Sequence, residues 1–242
     1  MVASPQLRND QSLKKVFFCP EESSFYAHCL ETLVLKECFE PTVIVEFGSG
    51  DGSPVIQALL RTEFDGVIHG FEINDSAYQV ARSRIQEHQL TRKYLIHKRC
   101  LLNSPKPEAT YLIANPPYLP AWDHHLYQPL LHGGIEGITL TKKLLSLGYP
   151  NVLTLMSSYS HPQDLVREAL LKHYRVASFV VAPMQFGYYS SEPKVMARIK
   201  ELRSCNRAFY SENIYLLAGV LFTQQPGSRD LSTELLKLMT SL

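Results

Sequence analysis

The stretch "VIVEFGSGDGSPVI", Val43 to Ile56, decides how the rest of the chain is read. A β-branched apolar run ends in three glycines at alternate positions, Gly48, Gly50 and Gly52, and a Ser-Pro pair follows. Regular structure avoids glycine, because glycine loses the most backbone freedom on folding. Three so close together predict a tight strand-to-helix turn with its backbone open to a ligand. Gly48 turns the chain sharply off the strand. Gly50 lets backbone approach the ligand with no Cβ in the way, and Gly52 eases the next helix against the sheet. "TVIVEFG" reads as a strand buried on both faces. "SPVIQALLR" reads as a helix with Ser53 at the cap and Pro54 at the first helical position.

Working outward, the upstream segment "SSFYAHCLETLVLKECF" reads as a helix. Its apolar residues Phe25, Cys29, Leu33 and Leu35 recur at helical spacing, and Ser23 or Ser24 is the expected cap. Residues 1–15 are polar and expected to be loose. Downstream, "GVIHGFEIN" is a second strand and "DSAYQVARSRIQEH" a second helix, opened by Asn74 or Asp75. "YLIHKRC" and "ATYLIANPPY" are the third and fourth strands, and "ITLTKKLLSLG" is a helix ended by Gly148. "NVLTLMSS" is a fifth strand, "PQDLVREALLKHY" a helix, and "RVASFVVAPM" and "NIYLLAGVLFTQQ" two further strands. Between those two lies an insertion of about residues 187–212 that carries "EPKVMARIKELR"; "STELLKLM" closes the chain as a short helix. Strands alternating with helices predict an α/β fold with a mostly parallel sheet. Ligands of such sheets sit outside the carboxyl ends of the strands. The glycine turn and "NPPY" both fall at that end.

Composition narrows the field. The 242 residues suit one α/β domain with additions, and 45% hydrophobic against 19% charged residues supports a sizeable core. The expected division is a lead-in with one helix over 1–40, a main domain over 41–228 and a helical tail over 229–242. A formal net charge of +1 lacks the strong basic excess usual in nucleic-acid binders. The five cysteines, Cys19, Cys29, Cys38, Cys100 and Cys205, form no C-x-x-C pair and read as buried reduced thiols. No basic head with an unbroken apolar stretch opens the chain, and no segment approaches ~20 apolar residues. A cytoplasmic protein with no membrane partner is the expectation.

The spacing G-x-G-x-G, preceded by Glu46, departs from the dinucleotide pattern G-x-G-x-x-G. An acidic Glu46 would repel a pyrophosphate and would suit an ammonium group. Glu72, twenty positions beyond Gly52 at the end of the second strand, can accept both hydroxyls of a ribose. A ligand with a ribose, a cation and no phosphates fits S-adenosylmethionine. Candidate contacts to it are Glu46, Phe47, Gly48, Ser49, Gly50 and Gly52 on the turn, with Glu72, Ile73, Cys100, Leu101 and Asn115 on the neighbouring strand ends. In "NPPY", Asn115 to Tyr118, the prolines fix two φ angles and remove two N–H groups. The Asn115 amide oxygen and the Pro116 carbonyl can accept both hydrogens of an NH₂ group and aim its lone pair at an electrophile. Pro117 stiffens the spur, and Tyr118 offers a flat face to a planar amide or base. The four residues Asn115, Pro116, Pro117 and Tyr118 are the candidate catalytic group.

Together "EFGSGDG", "GFEIN" and "NPPY" resemble the motifs of class I S-adenosylmethionine-dependent methyltransferases that modify amino groups, over about residues 40–225. Within them the chain is most similar to the HemK/PrmC-like group, which methylates a glutamine side-chain amide in release factors. "PEESSF", Pro20 to Phe25, and "HGGIEG", His132 to Gly137, resemble two further segments of that group. The resemblance implies a Rossmann-like fold with a mostly parallel seven-stranded sheet, an antiparallel last strand and helices on both faces. It further implies that Glu72 binds the ribose, that Asn115 to Tyr118 grip the substrate amide, and that a glutamine-bearing protein is the partner. The exocyclic amine of adenine in RNA or DNA is the alternative acceptor. A non-catalytic S-adenosylmethionine-binding module and a dehydrogenase are readings from other classes. "WDHHLYQ", with Asp123, His124 and His125, reads as a substrate-covering loop with Trp122 and Tyr127 as contacts rather than a metal site. "RKYLIHKR" reads as a solvated strand edge, while Tyr188 and Tyr189 are candidates for stacking on a base.

Overall fold

The computed structural model describes residues 19–242. The expectations for the first fifteen residues lie outside that range. Five strands run parallel in the order β3-β2-β1-β4-β5: β1 (Thr42–Phe47), β2 (Gly66–Glu72), β3 (Tyr94–Lys98), β4 (Tyr111–Ala114) and β5 (Asn151–Ser157). Next to β5 lies β8 (Ile214–Thr223), antiparallel to it, and β6 (Arg175–Gln185) closes that side by pairing antiparallel with β8. The seven strands expected are all present. A two-residue eighth, β7 (Tyr210–Ser211), folds back on the start of β8. Strand β3 is an edge of the sheet, where the basic stretch around Lys98 was expected to be solvated.

Helices cover both faces. Helices α1 (Pro20–Leu33), α2 (Ser53–Leu60), α3 (Asp75–Glu87) and α6 (Pro193–Ser204) contribute to one apolar core. The second core is built with α4 (Thr139–Leu145), α5 (Pro162–Leu171) and α7 (Ser232–Met239). The apolar stripe read in the first helix is the buried one: Phe25, Cys29 and Leu33 of α1 lie inside, as does Leu35, which falls in a short 3-10 turn beyond the end of α1. Cys29 seats α1 on β8 at Gly219, where a Cβ would collide with its sulfur.

Two caps differ from expectation. Helix α1 starts at Pro20 with Cys19 at the cap position, not at Ser23 or Ser24; proline at the first helical position needs no N–H partner and starts the helix a turn earlier. Gly52, in the left-handed region, caps α2 in place of Ser53. Asn74 caps α3 as expected, its side chain accepting from the Ala77 N–H at 3.1 Å. The five cysteines are all free, yet only Cys29 is buried; Cys19, Cys38 and Cys100 are half-buried and Cys205 is exposed. Among the described residues no helix is long and apolar enough to cross a membrane.

Candidate active site

The order β2-β1-β4 makes the gap between β1 and β4 the point where the sheet's winding reverses. The register pairs Phe47 with Ala114, so the next residues, Gly48 and Asn115, leave the sheet side by side. The turn and the spur therefore leave the carboxyl end of the sheet as neighbours. Gly48, Gly50 and Gly52 have φ of +71°, +56° and +74°, a region costly for any residue with a Cβ. A Cβ on Gly48 or Gly50 would meet nothing within 4 Å, so open space lies over the turn. At Gly52 it would press first on Ala81 of α3 at 3.2 Å and then on the Tyr94 ring of β3 at 3.4 Å, so the residue eases a neighbouring helix as much as the sheet that was expected.

Glu72 is tied to this turn. Its two oxygens accept the N–H groups of Gly50, at 2.8 Å, and Asn74, at 2.6 Å. Those bonds fix the carboxylate and leave lone pairs free, since an ionised carboxylate offers about four acceptor sites. Burial raises the Glu72 pKa, and the same backbone donors oppose the rise. Gly48 and Ser49 both donate to the Phe71 carbonyl, at 2.9 and 3.2 Å. Asp51 was not singled out in the sequence. It braces the turn by accepting from the Ser53 N–H at 3.0 Å and pairing with Arg84 of α3.

Glu46 lies beneath the turn and is only 1% exposed. The Tyr94 hydroxyl donates to it, and burial pushes its carboxyl up to about 7. So deep a position leaves the direct ligand contact expected of Glu46 closed off from the open space above the turn. Tyr94 reaches it across β2 because Gly70 lacks a Cβ, which would strike Tyr94 and the Ser49 hydroxyl. Tyr26 of α1 is buried close to this pair, and its hydroxyl has no hydrogen-bond partner among the described residues. Of the remaining candidates, Ile73 is exposed and Phe47 half-buried; half-buried Cys100 caps the short 3-10 turn Leu101–Asn103, where Leu101 is buried.

In the spur, Asn115 and Pro117 are half-buried and Pro116 is buried. Tyr118 is held on every side. Its carbonyl accepts from the Ser160 hydroxyl at 2.7 Å, and Ser157 donates to Ser160 at 2.7 Å. The "HGGIEG" segment explains its glycines here. A Cβ on Gly133 would lie 2.6 Å from Tyr118 Cα, and one on Gly137 would strike the Tyr118 carbonyl. The Tyr118 ring packs near Tyr159, centroids 5.9 Å apart, and is 8% exposed, so most of the face expected to meet substrate is covered by protein. Its hydroxyl donates to Glu22, a buried carboxyl from the first turn of α1 that sequence reasoning passed over.

The segment after the spur meets the insertion. Trp122 is 63% exposed, with the Arg198 guanidinium of α6 stacked 4.3 Å from its centroid. Lys194 pairs with Asp123 at 3.1 Å, and the Tyr127 N–H donates to Glu192 at 2.8 Å. The Tyr127 and Tyr188 rings lie 5.2 Å apart. An open cleft of about 550 Å³ separates the loop from the start of α6, lined by Leu126, Tyr127, Pro129 and Glu192 among others. His124 and His125 stack on each other, and Asp123 turns to Lys194 and the His125 N–H. Among the described residues, the three metal-ligand side chains that come together are Glu136, His161 and Asp164 instead. Arg207, Lys142 and Arg167 already pair with their carboxylates.

No known protein-family profile matches the chain. Solved structures do resemble it. A candidate RNA methyltransferase from Pyrococcus horikoshii aligns with a TM-score of 0.56 at 12% identity, covering 89% of this chain and 91% of that one. The methyltransferase domain of METTL16, without its N-terminal segment, aligns at 0.55 and 13% identity, covering 89% and 88%. Magnesium protoporphyrin IX methyltransferase from Synechocystis PCC 6803, solved with S-adenosylmethionine bound, aligns at 0.51 and 13% identity, covering 82% and 79%. At such identities the likeness is one of architecture: the chain has the Rossmann-like methyltransferase fold.

Proposed function

We propose that the chain is an S-adenosylmethionine-dependent methyltransferase acting on a planar amide or amino nitrogen, with a protein glutamine as the first choice of acceptor. The observation that carries this reading is the register of Phe47 with Ala114, which sets an open glycine turn beside the Asn-Pro-Pro spur at the carboxyl end of the sheet. The residues fit the cofactor. Space lies over Gly48 and Gly50. Glu72 faces the turn with acceptor capacity for two ribose hydroxyls, and buried Glu46, poised at about 7, is drawn to its carboxylate form by an ammonium placed above it. When bound, the sulfonium supplies an activated methyl carbon. The protein's part is then positioning. The Asn115 amide oxygen and the Pro116 carbonyl accept the two hydrogens of the NH₂ group and orient its lone pair, and charge building on nitrogen is met by the same acceptors. Good orientation of two reactants is worth roughly 7–11 kcal/mol at best.

The similarity of "PEESSF" and "HGGIEG" to segments of the glutamine-modifying group supports glutamine; in that reading the catalytic unit spans about 41–228. One observation favours a second acceptor, the exocyclic amine of adenine. Residues 193–207 carry Lys194, Arg198, Lys200, Arg203 and Arg207 against Glu201, a local excess in a chain of net charge +1. The fold neighbour from Pyrococcus horikoshii is itself described as a candidate RNA enzyme. Calorimetric titration tests the cofactor: S-adenosylmethionine binds and NADH does not. Incubation with methyl-labelled cofactor and fractionated extract, followed by protease or nuclease, then separates the acceptors. Label released by neither treatment removes both.

A further inference from the structure

Resting on that reading of the spur, we infer that Glu22 is a positioning residue, through which docking of α1 completes the acceptor half of the site. Three observations support this. The carboxyl is 7% exposed, and among the described residues no lysine, arginine or histidine pairs with it. A buried carboxyl without a cation is costly unless it is hydrogen-bonded or protonated. Its hydrogen-bond partner is the Tyr118 hydroxyl, the last residue of the spur. Lastly, α1 is itself fixed from below by Cys29 on Gly219, so Glu22 is held on a rigid element and not on a loop.

The groups around Glu22 come from every wall. Tyr118 faces it from the spur, Cys19 from the cap of its own helix, Tyr159 from the segment after β5 and Tyr215 from β8. All are hydroxyls or thiols. Burial pushes the Glu22 carboxyl up to about 8 and the Cys19 thiol to about 11, so all of them stay uncharged at neutral pH. A neutral carboxyl still accepts a hydrogen bond from Tyr118. The glycines of "HGGIEG" and Ser160 hold the Tyr118 main chain. Glu22 fixes the hydroxyl end of the ring, which the main-chain contacts do not reach.

Hydrogen exchange of the full chain, read by mass spectrometry, tests the tie without an acceptor. Glu22→Ala is expected to speed exchange of the segment 112–135 about tenfold, the effect of losing one hydrogen bond of ordinary strength. Exchange over 43–56 and the affinity for S-adenosylmethionine stay as in the parent protein. Glu22→Gln keeps an amide oxygen for Tyr118 and restores protection. Unchanged protection in Glu22→Ala overturns the proposal, as does an increase spread evenly over the chain or a Gln variant as loose as the Ala one. Should Glu22→Ala fail to fold, Tyr118→Phe removes the same bond from the other side; it must loosen 112–135, and wild-type protection there overturns the proposal. A protein that binds no S-adenosylmethionine sinks the transferase reading alone, because the exchange result decides the tie independently.

Discussion

Asn115 is the residue on which the proposed chemistry turns. It is half-buried beside the glycine turn, and among the described residues its amide makes no hydrogen bond. Asn115→Ala is expected to abolish methyl transfer, because the acceptor nitrogen loses one of its two anchors. Affinity for S-adenosylmethionine should stay within about tenfold, a loss under ~1.4 kcal/mol. Single-turnover assays alongside calorimetry check both halves, and full activity in the variant would refute the assigned role. Residues of this kind were legible because they sit in short motifs: Glu72 and Asn115 each end a strand that the sequence marks plainly. The partners of those motifs were not. Tyr94 reaches Glu46 across 48 positions and Tyr118 reaches Glu22 across 96, and a contact that long leaves no spacing to read. Gly70 passed unnoticed for a like reason: inside a strand it reads as a weak point, and only the Tyr94 ring above it explains the missing Cβ.

Among the elements, the connection from the spur to α4 shows how tightly the backbone is specified. Gly137 has φ of +77°, and a Cβ there would strike both the Tyr118 carbonyl and the Ser160 side chain. Gly148, three residues beyond α4, has φ of +66° with open space around it. Gly148→Ala is therefore expected to cost only the backbone penalty, about 1 kcal/mol. Gly137→Ala adds a collision and should cost several times that, of order 1–3 kcal/mol beyond the backbone term. Chemical denaturation of the two variants makes the comparison; equal losses would show that Tyr118 is not packed as described. The alternation of strands and helices was readable from apolar periodicity, down to Asn74 as a cap. Starts governed by a proline or by a left-handed glycine were misplaced, since Pro20 and Gly52 set the boundaries of α1 and α2 through backbone geometry and not through a side-chain bond.

On the scale of the whole molecule, two of the buried carboxyls that lack a cation among the described residues, Glu46 and Glu22, make stability depend on pH in an unusual direction. Native Glu46 holds its proton up to about 7 and Glu22 up to about 8, whereas the unfolded chain releases both near 4.5. The native state binds more protons than the unfolded one, so stability falls as pH rises. His69 and His97, with pKa values lowered by burial, act oppositely only below about their ordinary 6.5. Between roughly pH 6.5 and 8 the melting temperature is therefore expected to drop. The variant Glu22→Gln should flatten much of that slope in scanning calorimetry, and an unchanged slope would place the titration elsewhere. The sheet order also has a consequence for how the protein is made. Strand β6 pairs with β8 alone, and β8 closes the gap beside β5 only after the 56 residues 158–213 that follow β5 have been added. During synthesis on the ribosome, the five parallel strands can assemble early while β5 and β6 wait with bare edges, so a nascent chain stalled before Thr223 should need a chaperone and a finished one should not.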